Sequence, residues 1–212
     1  MNKRAKTLIA ALLTFSVMTS VACSKKDSDS SVLGESRDSE VTEATTTTAK
    51  TDSTILYSEI MGTYSGTTYT NLNSGVTIAA PEAWNHLNAT EASTFWNNDD
   101  NIRTADDTLA FNDIAYESVW KASNGDFMSV MLMYAPGASS DDYSAVLGTD
   151  DLQDVTLGTK DVKVTYGSYD VDGNEIKTAT IIDFNNDTMI IITINCFTDE
   201  DVQAVMDNIT FN

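Results

Sequence analysis

The chain is poor in the residues that most often carry chemistry. Among its 212 residues there is one histidine, His86, and there are two cysteines, Cys23 and Cys196. A zinc site built on His and Cys ligands has too few donors here. A hydrolase of the Ser-His-Asp kind has only His86 as its base, and no Gly-x-Ser-x-Gly elbow is present. Basic residues are scarce as well: 12 Lys and Arg stand against 32 Asp and Glu, for a net charge of −20. Such a surface repels phosphate backbones and anionic head groups, so nucleic acid is not a partner. No apolar run reaches the ~20 residues of a spanning helix, and no internal repeat is visible.

What is present begins at the N-terminus. Lys3, Arg4 and Lys6 precede an apolar run from Leu8 to Val17, interrupted by Thr14 and Ser16. A charged start, a short apolar run and small residues before a cut site are the parts of a secretory signal. The stretch Thr19-Ser20-Val21-Ala22-Cys23 resembles a bacterial lipobox, with Ser20 standing where Leu is commonest. That resemblance implies cleavage of residues 1–22, a diacylglyceryl thioether on Cys23 and an extracytoplasmic address. Two acyl chains anchor firmly where one does not, so the expected partner is a bacterial membrane, reached through lipid. Without Lys3, Arg4 and Lys6 the remainder carries 9 basic and 32 acidic side chains, a net of −23. With Cys23 acylated, Cys196 has no intrachain partner and a disulfide framework is excluded.

Residues 23–53 then form an acidic, Ser/Thr-rich stretch with almost no large apolar side chain, the composition of a disordered spacer. A chain of that length reaches roughly 30 Å, enough to lift a domain off the head groups. Thr45 to Thr48 could accept sugars, but a plain solvated linker is the preferred reading.

Residues 54–212 have the size of one domain. Thr54 to Met61 reads as a helical turn or a strand. Thr67 to Tyr69 and Gly75 to Ala80 read as strands about the turn Asn71-Leu72-Asn73-Ser74. Asn88 with Glu91 makes a capping box for a short helix through Phe95 and Trp96. Asn97 to Asp107 is polar and irregular. Ile114 to Ala122 and Phe127 to Ala135 flank the hairpin signal Asn124-Gly125. Ser140 to Leu147 reads as a helix closed by Gly148. Strands follow over Lys160 to Tyr166, Ile176 to Phe184 and Thr188 to Cys196, turning at Asp172-Gly173-Asn174 and Asn185-Asn186-Asp187. Met189 to Ile194 is apolar on both faces, which predicts a central strand. Thr198 caps a last helix whose Val202, Val205, Met206 and Ile209 share a face. The sum is α+β, a largely antiparallel sheet with helices packed on it.

Tyr69-Thr-Asn71, then Gly75-Val-Thr-Ile78-Ala-Ala-Pro81-Glu-Ala-Trp84, resembles the opening of PsbP/Mog1-type domains, as found in small exported lipoproteins of Firmicutes. The ending, an apolar strand, an acidic helix and Ile209-Thr-Phe211, is also similar, so the likeness spans about Gly62 to Asn212. Pro81 ends a strand for lack of a donor, and Trp84 is large enough to plug the core beside it. Such a fold serves varied binding and adaptor roles, so it implies no mechanism.

Candidate sites follow from side-chain chemistry. Asp170 and Asp172 before Gly173 are candidate Ca²⁺ ligands, but position twelve counted from Asp170 is Ile181 where a calcium loop needs glutamate. A hairpin turn accounts for the same residues, so no metal site is assigned and no cofactor is expected beyond the acyl lipid. Asn98 to Asn101 with Asp106 and Asp107 reads as a solvated surface, and Asp141 and Asp142 as first-turn acids of a helix. Trp96, beside the polar loop, is the tryptophan expected to be exposed and the candidate for stacking on a cell-wall sugar. Trp120 shares a strand face with Ile114 and Tyr116 if the alternation is regular, and is expected in the core. Met128, Met131 and Met133 on one strand, and Cys196 at the end of another, are expected in the core too. The expected function is a non-catalytic accessory or protein-binding module at the cell envelope, the alternative being a cation or sugar sensor.

Overall fold

The computed structural model describes residues 53–97 and 100–212. The expected signal peptide, Cys23 and the spacer up to Asp52 lie outside the described residues. The main sheet has seven antiparallel strands in the order β5 (Asn85–His86), β7 (Ile114–Lys121), β8 (Phe127–Tyr134), β12 (Thr188–Cys196), β11 (Asn174–Asn185), β10 (Lys160–Val171) and β9 (Gln153–Leu157). As the apolar run predicts, β12 is the middle strand. Its Ile190, Ile192, Ile194 and Cys196 point into one core, its Met189 and Ile191 into another. Two apolar faces require two covers, and the chain supplies both.

The first cover is a four-stranded antiparallel sheet, β13 (Ile209–Phe211), β4 (Val76–Ala79), β3 (Thr68–Asn71) and β2 (Thr63–Ser65), together with helix α3 (Asp199–Met206). Tyr69, Ile78, Phe211 and the α3 residues Val202, Val205 and Met206 meet Trp120, Val130 and Ile192 in this largest core. Trp84 packs against it from the corner after Pro81, where its backbone N–H donates to the Pro81 carbonyl at 2.8 Å. On the opposite face, α1 (Ala89–Trp96) covers β7, while α2 (Tyr143–Leu147) covers Met189 and Ile191. The fold is α+β, largely antiparallel, with helices packed on the sheet.

Local chemistry sets the ends of these elements. In α1 the Asn88 side chain accepts from the Glu91 N–H at 3.1 Å, and the Glu91 carboxylate accepts from the Asn88 N–H at 3.0 Å, a complete capping box. The α3 cap is Thr198, which accepts from the Asp201 N–H. The β11–β12 turn is Asn186-Asp187, with φ of 46° and 64°, residues that tolerate the left-handed region. Thr54 to Met61 holds both of the expected forms: strand β1 (Thr54–Leu56), paired with β6 (Thr108–Ala110), then a 3₁₀ turn at Tyr57–Glu59. The expected Ser140–Leu147 helix starts as 3₁₀ over Ser140–Asp142 and turns α only from Tyr143.

Candidate functional site

Strand β7 is next to the edge of the main sheet and is only partly covered. The two residues of β5 pair with Lys121 and Trp120. The chain then leaves for α1, with the Leu87 N–H bonded to the Val119 carbonyl at 2.9 Å. It returns where the Tyr116 N–H donates to the Asn101 carbonyl at 2.8 Å. Between these two ties a cavity of about 140 Å³ opens, lined among others by Tyr57, His86, Trp96, Arg103, Tyr116 and Glu117.

A β-bulge places the acid. In the β7–β8 ladder Tyr116 faces Met131 and Ser118 faces Val130, so Glu117 is the unpaired extra residue. The bulge also reverses the inside-outside alternation of the strand. Ala115 and Trp120 belong to the large core, whereas Tyr116 and Val119 face α1. Trp120 is therefore in the core, at 1% exposure, but on the opposite face from Tyr116, contrary to the regular alternation expected from the sequence.

Glu117 is part-buried and doubly bonded. It accepts from the Tyr57 hydroxyl at 2.6 Å and from the Gly62 N–H at 2.8 Å. Burial raises its pKa, and those two hydrogen bonds oppose the rise. Tyr64 donates to the Glu117 carbonyl at 3.1 Å. The hydroxyls of Tyr57, Tyr64 and Tyr69 are all pushed upward, first by burial, with Glu117's charge adding to it. All three stay protonated and can only donate or accept as neutral groups.

Trp96 is a correction to the expected exposure: it is only 7% exposed. Ala92 and Trp96, four residues apart on α1, pack on Val119, and the Trp96 ring stacks on Tyr116 with centroids 4.5 Å apart. The expected stacking surface is thus already occupied by a tyrosine on one face, and Trp96 enters the site as a wall of the cavity. Its buried indole N–H has no hydrogen-bond partner. His86 packs beside Tyr64 and Trp120, at 4.4 and 5.4 Å, and burial lowers its pKa against the opposing charge of Glu91. The imidazole is neutral at neutral pH.

The loop read as polar and irregular supplies Ile102 and Arg103 to the cavity. Asn98 and Asp99 lie outside the described residues. Asp107 accepts from the Thr104 N–H at 2.6 Å, and its pKa is held down by Thr104 first and by the charge of Arg103 as well.

Asp170 and Asp172 do not line the cavity. They sit at the β10–β11 hairpin, whose two-residue loop Asp172-Gly173 has φ of 54° and 83°, as a type I′ turn requires. One Asp170 oxygen accepts from the Gly173 N–H at 3.0 Å, and Glu175 beside the turn is paired with Lys177 at 2.9 Å. Among the described residues no group of three or more His, Cys, Asp or Glu is placed to hold a metal ion. Asp142 accepts from the Ser139 N–H at 2.8 Å in the first turn before α2. Met128 is fully buried, Met131 and Met133 are partly so, and burial pushes the Cys196 thiol up to about 12.

No protein-family model matches the chain, and no curated protein does. Solved structures similar to it include the following three. A protein of Bacteroides thetaiotaomicron VPI-5482 aligns over 65% of this chain at 8% identity and a TM-score of 0.42, and the chain spans 45% of that protein. LpqN, involved in cell envelope biogenesis of Mycobacterium tuberculosis, aligns over 65% of this chain and 83% of its own length, at 13% identity and a TM-score of 0.34. The cyanobacterial PsbP of Synechocystis sp. PCC 6803 aligns over 72% of this chain and 99% of its own, at 12% identity and a TM-score of 0.32. Likenesses at this level say nothing of what the cavity holds. No helix among the described residues is long and apolar enough to cross a membrane.

Bulge, cavity and buried aromatic pair all depend on residues far apart in the sequence. The local signal is Glu117, an acid in the middle of strand Ile114–Lys121 that interrupts its apolar pattern.

Proposed function

We propose that the chain is an extracytoplasmic, lipid-anchored accessory module that binds a small ligand and catalyses no reaction. The anchor rests on the lipobox-like Thr19 to Cys23, and the resemblance to small exported lipoproteins of Firmicutes agrees with it. The observation that carries the binding role is the cavity beside β7. Its walls combine three aromatic rings with a bulge-placed carboxylate, a few polar groups in an apolar setting. Catalysis is left out of this reading on two observations: His86 packs on aromatic rings, and burial pushes the Cys196 thiol up to about 12.

A protein partner at the cell envelope is the second reading. Leu72, 89% exposed at the β3–β4 turn, is its candidate contact. Thermal-shift screening of the full chain carrying Cys23→Ser decides between the two. A midpoint raised by one ligand class, and abolished by Ala89→Leu at the exposed cavity rim, supports the ligand-binding role. No response to any class, with a single crosslinked partner lost on Leu72→Asp, overturns it in favour of the protein partner. The anchor is tested separately: the unmutated chain should fractionate with membranes, and Cys23→Ser should release it.

A further inference from the structure

We infer that the cavity beside β7 takes a small free amino acid as its zwitterion, the carboxylate held by Arg103 and the Trp96 indole N–H and the ammonium by the Glu117 carboxylate. This rests on the ligand-binding reading above and names its chemistry.

Two buried donors belong to residues of the cavity wall and have no acceptor. Nε of Arg103 and Nε1 of Trp96 are both without a hydrogen-bond partner among the described residues. Native proteins rarely leave such groups unpaired, because the water lost on burial is then not replaced. Glu117, in the same wall, has spare capacity of the opposite kind. It accepts only from two neutral donors, the Tyr57 hydroxyl and the Gly62 N–H, and a carboxylate has about four acceptor sites. Among the described residues the ion pairs are Lys160–Asp183, Lys163–Asp154 and Lys177–Glu175. Arg103 and Glu117 thus line one cavity without pairing with each other or with another charge. Asp107 feels the charge of Arg103 but is bonded to the Thr104 N–H in its own loop. The remaining titratable ring, His86, is neutral at neutral pH.

Two unpaired charges of opposite sign decide the class of ligand. A simple cation meets Arg103, and a simple anion meets Glu117 and the chain's net charge of −20. An uncharged solute leaves both part-buried charges without a counter-charge. A zwitterion gives each its complement and brings no net charge of its own. The guanidinium is the side chain best shaped to hold a carboxylate, and the Trp96 N–H supplies a further donor. The rings of Tyr57, Tyr116 and Trp96 line the space between with apolar surface, where the low dielectric strengthens both contacts. Size narrows the choice. The cavity's 140 Å³ is close to the ~150 Å³ of an engineered cavity that takes benzene. Alanine and serine are of about that size, whereas a monosaccharide with its hydroxyls is about twice as large.

The test is calorimetric titration of the full chain carrying Cys23→Ser with glycine, alanine and serine, at neutral pH and constant ionic strength. Propionate and ethylammonium, which carry one charge each, and glycerol, which carries none, are titrated alongside. Saturable binding of at least one amino acid is expected, with the other three solutes bound about tenfold or more weaker. Arg103→Met and Glu117→Gln should each weaken the amino acid by about tenfold or more, and Ala89→Leu should abolish its binding. Arg103 lies in a loop and Ala89 is exposed, so those variants keep the test valid if Glu117→Gln folds poorly. Propionate, ethylammonium or glycerol bound as tightly as the amino acids, and blocked by Ala89→Leu, overturns the zwitterion assignment and leaves the ligand-binding role standing. Amino acid binding unchanged in a folded Arg103→Met or Glu117→Gln also overturns it. No binding of any of these solutes overturns both.

Discussion

Gly62 offers the sharpest test of how the N-terminal segment is fastened to the sheet. A Cβ added there would lie 2.1 Å from Cε2 of Tyr69 and 2.6 Å from its hydroxyl oxygen. Carbon atoms in ordinary contact stand about 3.5–4.0 Å apart, so the ring would have to retreat by well over an ångström. It has nowhere to go. Tyr69 is fully buried, with Tyr64 at 5.2 Å and Trp120 at 6.0 Å, and its hydroxyl accepts from the Asn71 amide at 3.2 Å. Overpacking of this kind costs about 1–3 kcal/mol, and a lost hydrogen bond about 0.5–1.5 kcal/mol. The stiffer unfolded chain of an alanine variant returns about 0.4–1 kcal/mol. Gly62→Ala should therefore destabilise by about 0.5–4 kcal/mol, lowering the thermal midpoint by roughly 1–16 °C for a domain of this size. Differential scanning calorimetry of both chains measures it. In a Tyr69→Leu background, where the ring is gone, the added cost of Gly62→Ala should nearly vanish. A single Gly62→Ala variant melting within a degree of the parent would refute the close approach on which the reasoning stands.

Two more expectations concern acids. Burial raises the folded pKa of Glu117, so its contribution to stability is full below the unfolded value and is lost as pH rises through the folded one. Relative to Glu117→Gln, the parent should lose denaturant stability across that interval. A constant difference between the two from pH 4 upward would show that Glu117 does not titrate as burial requires. Asp172 holds a left-handed conformation at φ 54°; Asp172→Val should cost about 1–2 kcal/mol, and added Ca²⁺ should leave the parent's midpoint where it is. A Ca²⁺-dependent rise abolished by Asp172→Asn would make the hairpin a cation site instead.

Much of the fold was legible because its signals are local. The unbroken run Met189 to Ile194 can satisfy two apolar faces only in the middle of a covered sheet, and β12 is there. Asn88 with Glu91 and Thr198 with Asp201 close hydrogen bonds within a few residues, and Asn186-Asp187 tolerate the left-handed turn by residue type, so no distant partner has to be known. What escaped depends on distant partners. Strand β9 is polar and mostly exposed, and only pairing with β10 makes it a strand. The bulge at Glu117 needs β8 opposite it before an extra residue has any meaning. The sequence places Trp96 beside a polar loop, which suggests exposure. Its burial is decided by Tyr116 and Val119, which are twenty or more positions away. The candidate cavity inherits all of these, since it is assembled from β5, α1, a loop and a bulge that no single window contains.

The way the chain enters its domain has a mechanical side. Residues beyond Ser53 toward the N-terminus connect to the sheet through β1, which is held by three residue pairs with β6. Tension along that connection loads those few pairs first, then the Tyr57 and Gly62 bonds that converge on Glu117, and only then β2. The C-terminal strand β13 is stitched into the opposite side of the same small sheet and carries none of this load early on. A pull from the N-terminal side would thus strip the Glu117 wall of the cavity before it reached the seven-stranded sheet. Force applied at Ser53 would open the cavity while the body of the domain stayed folded.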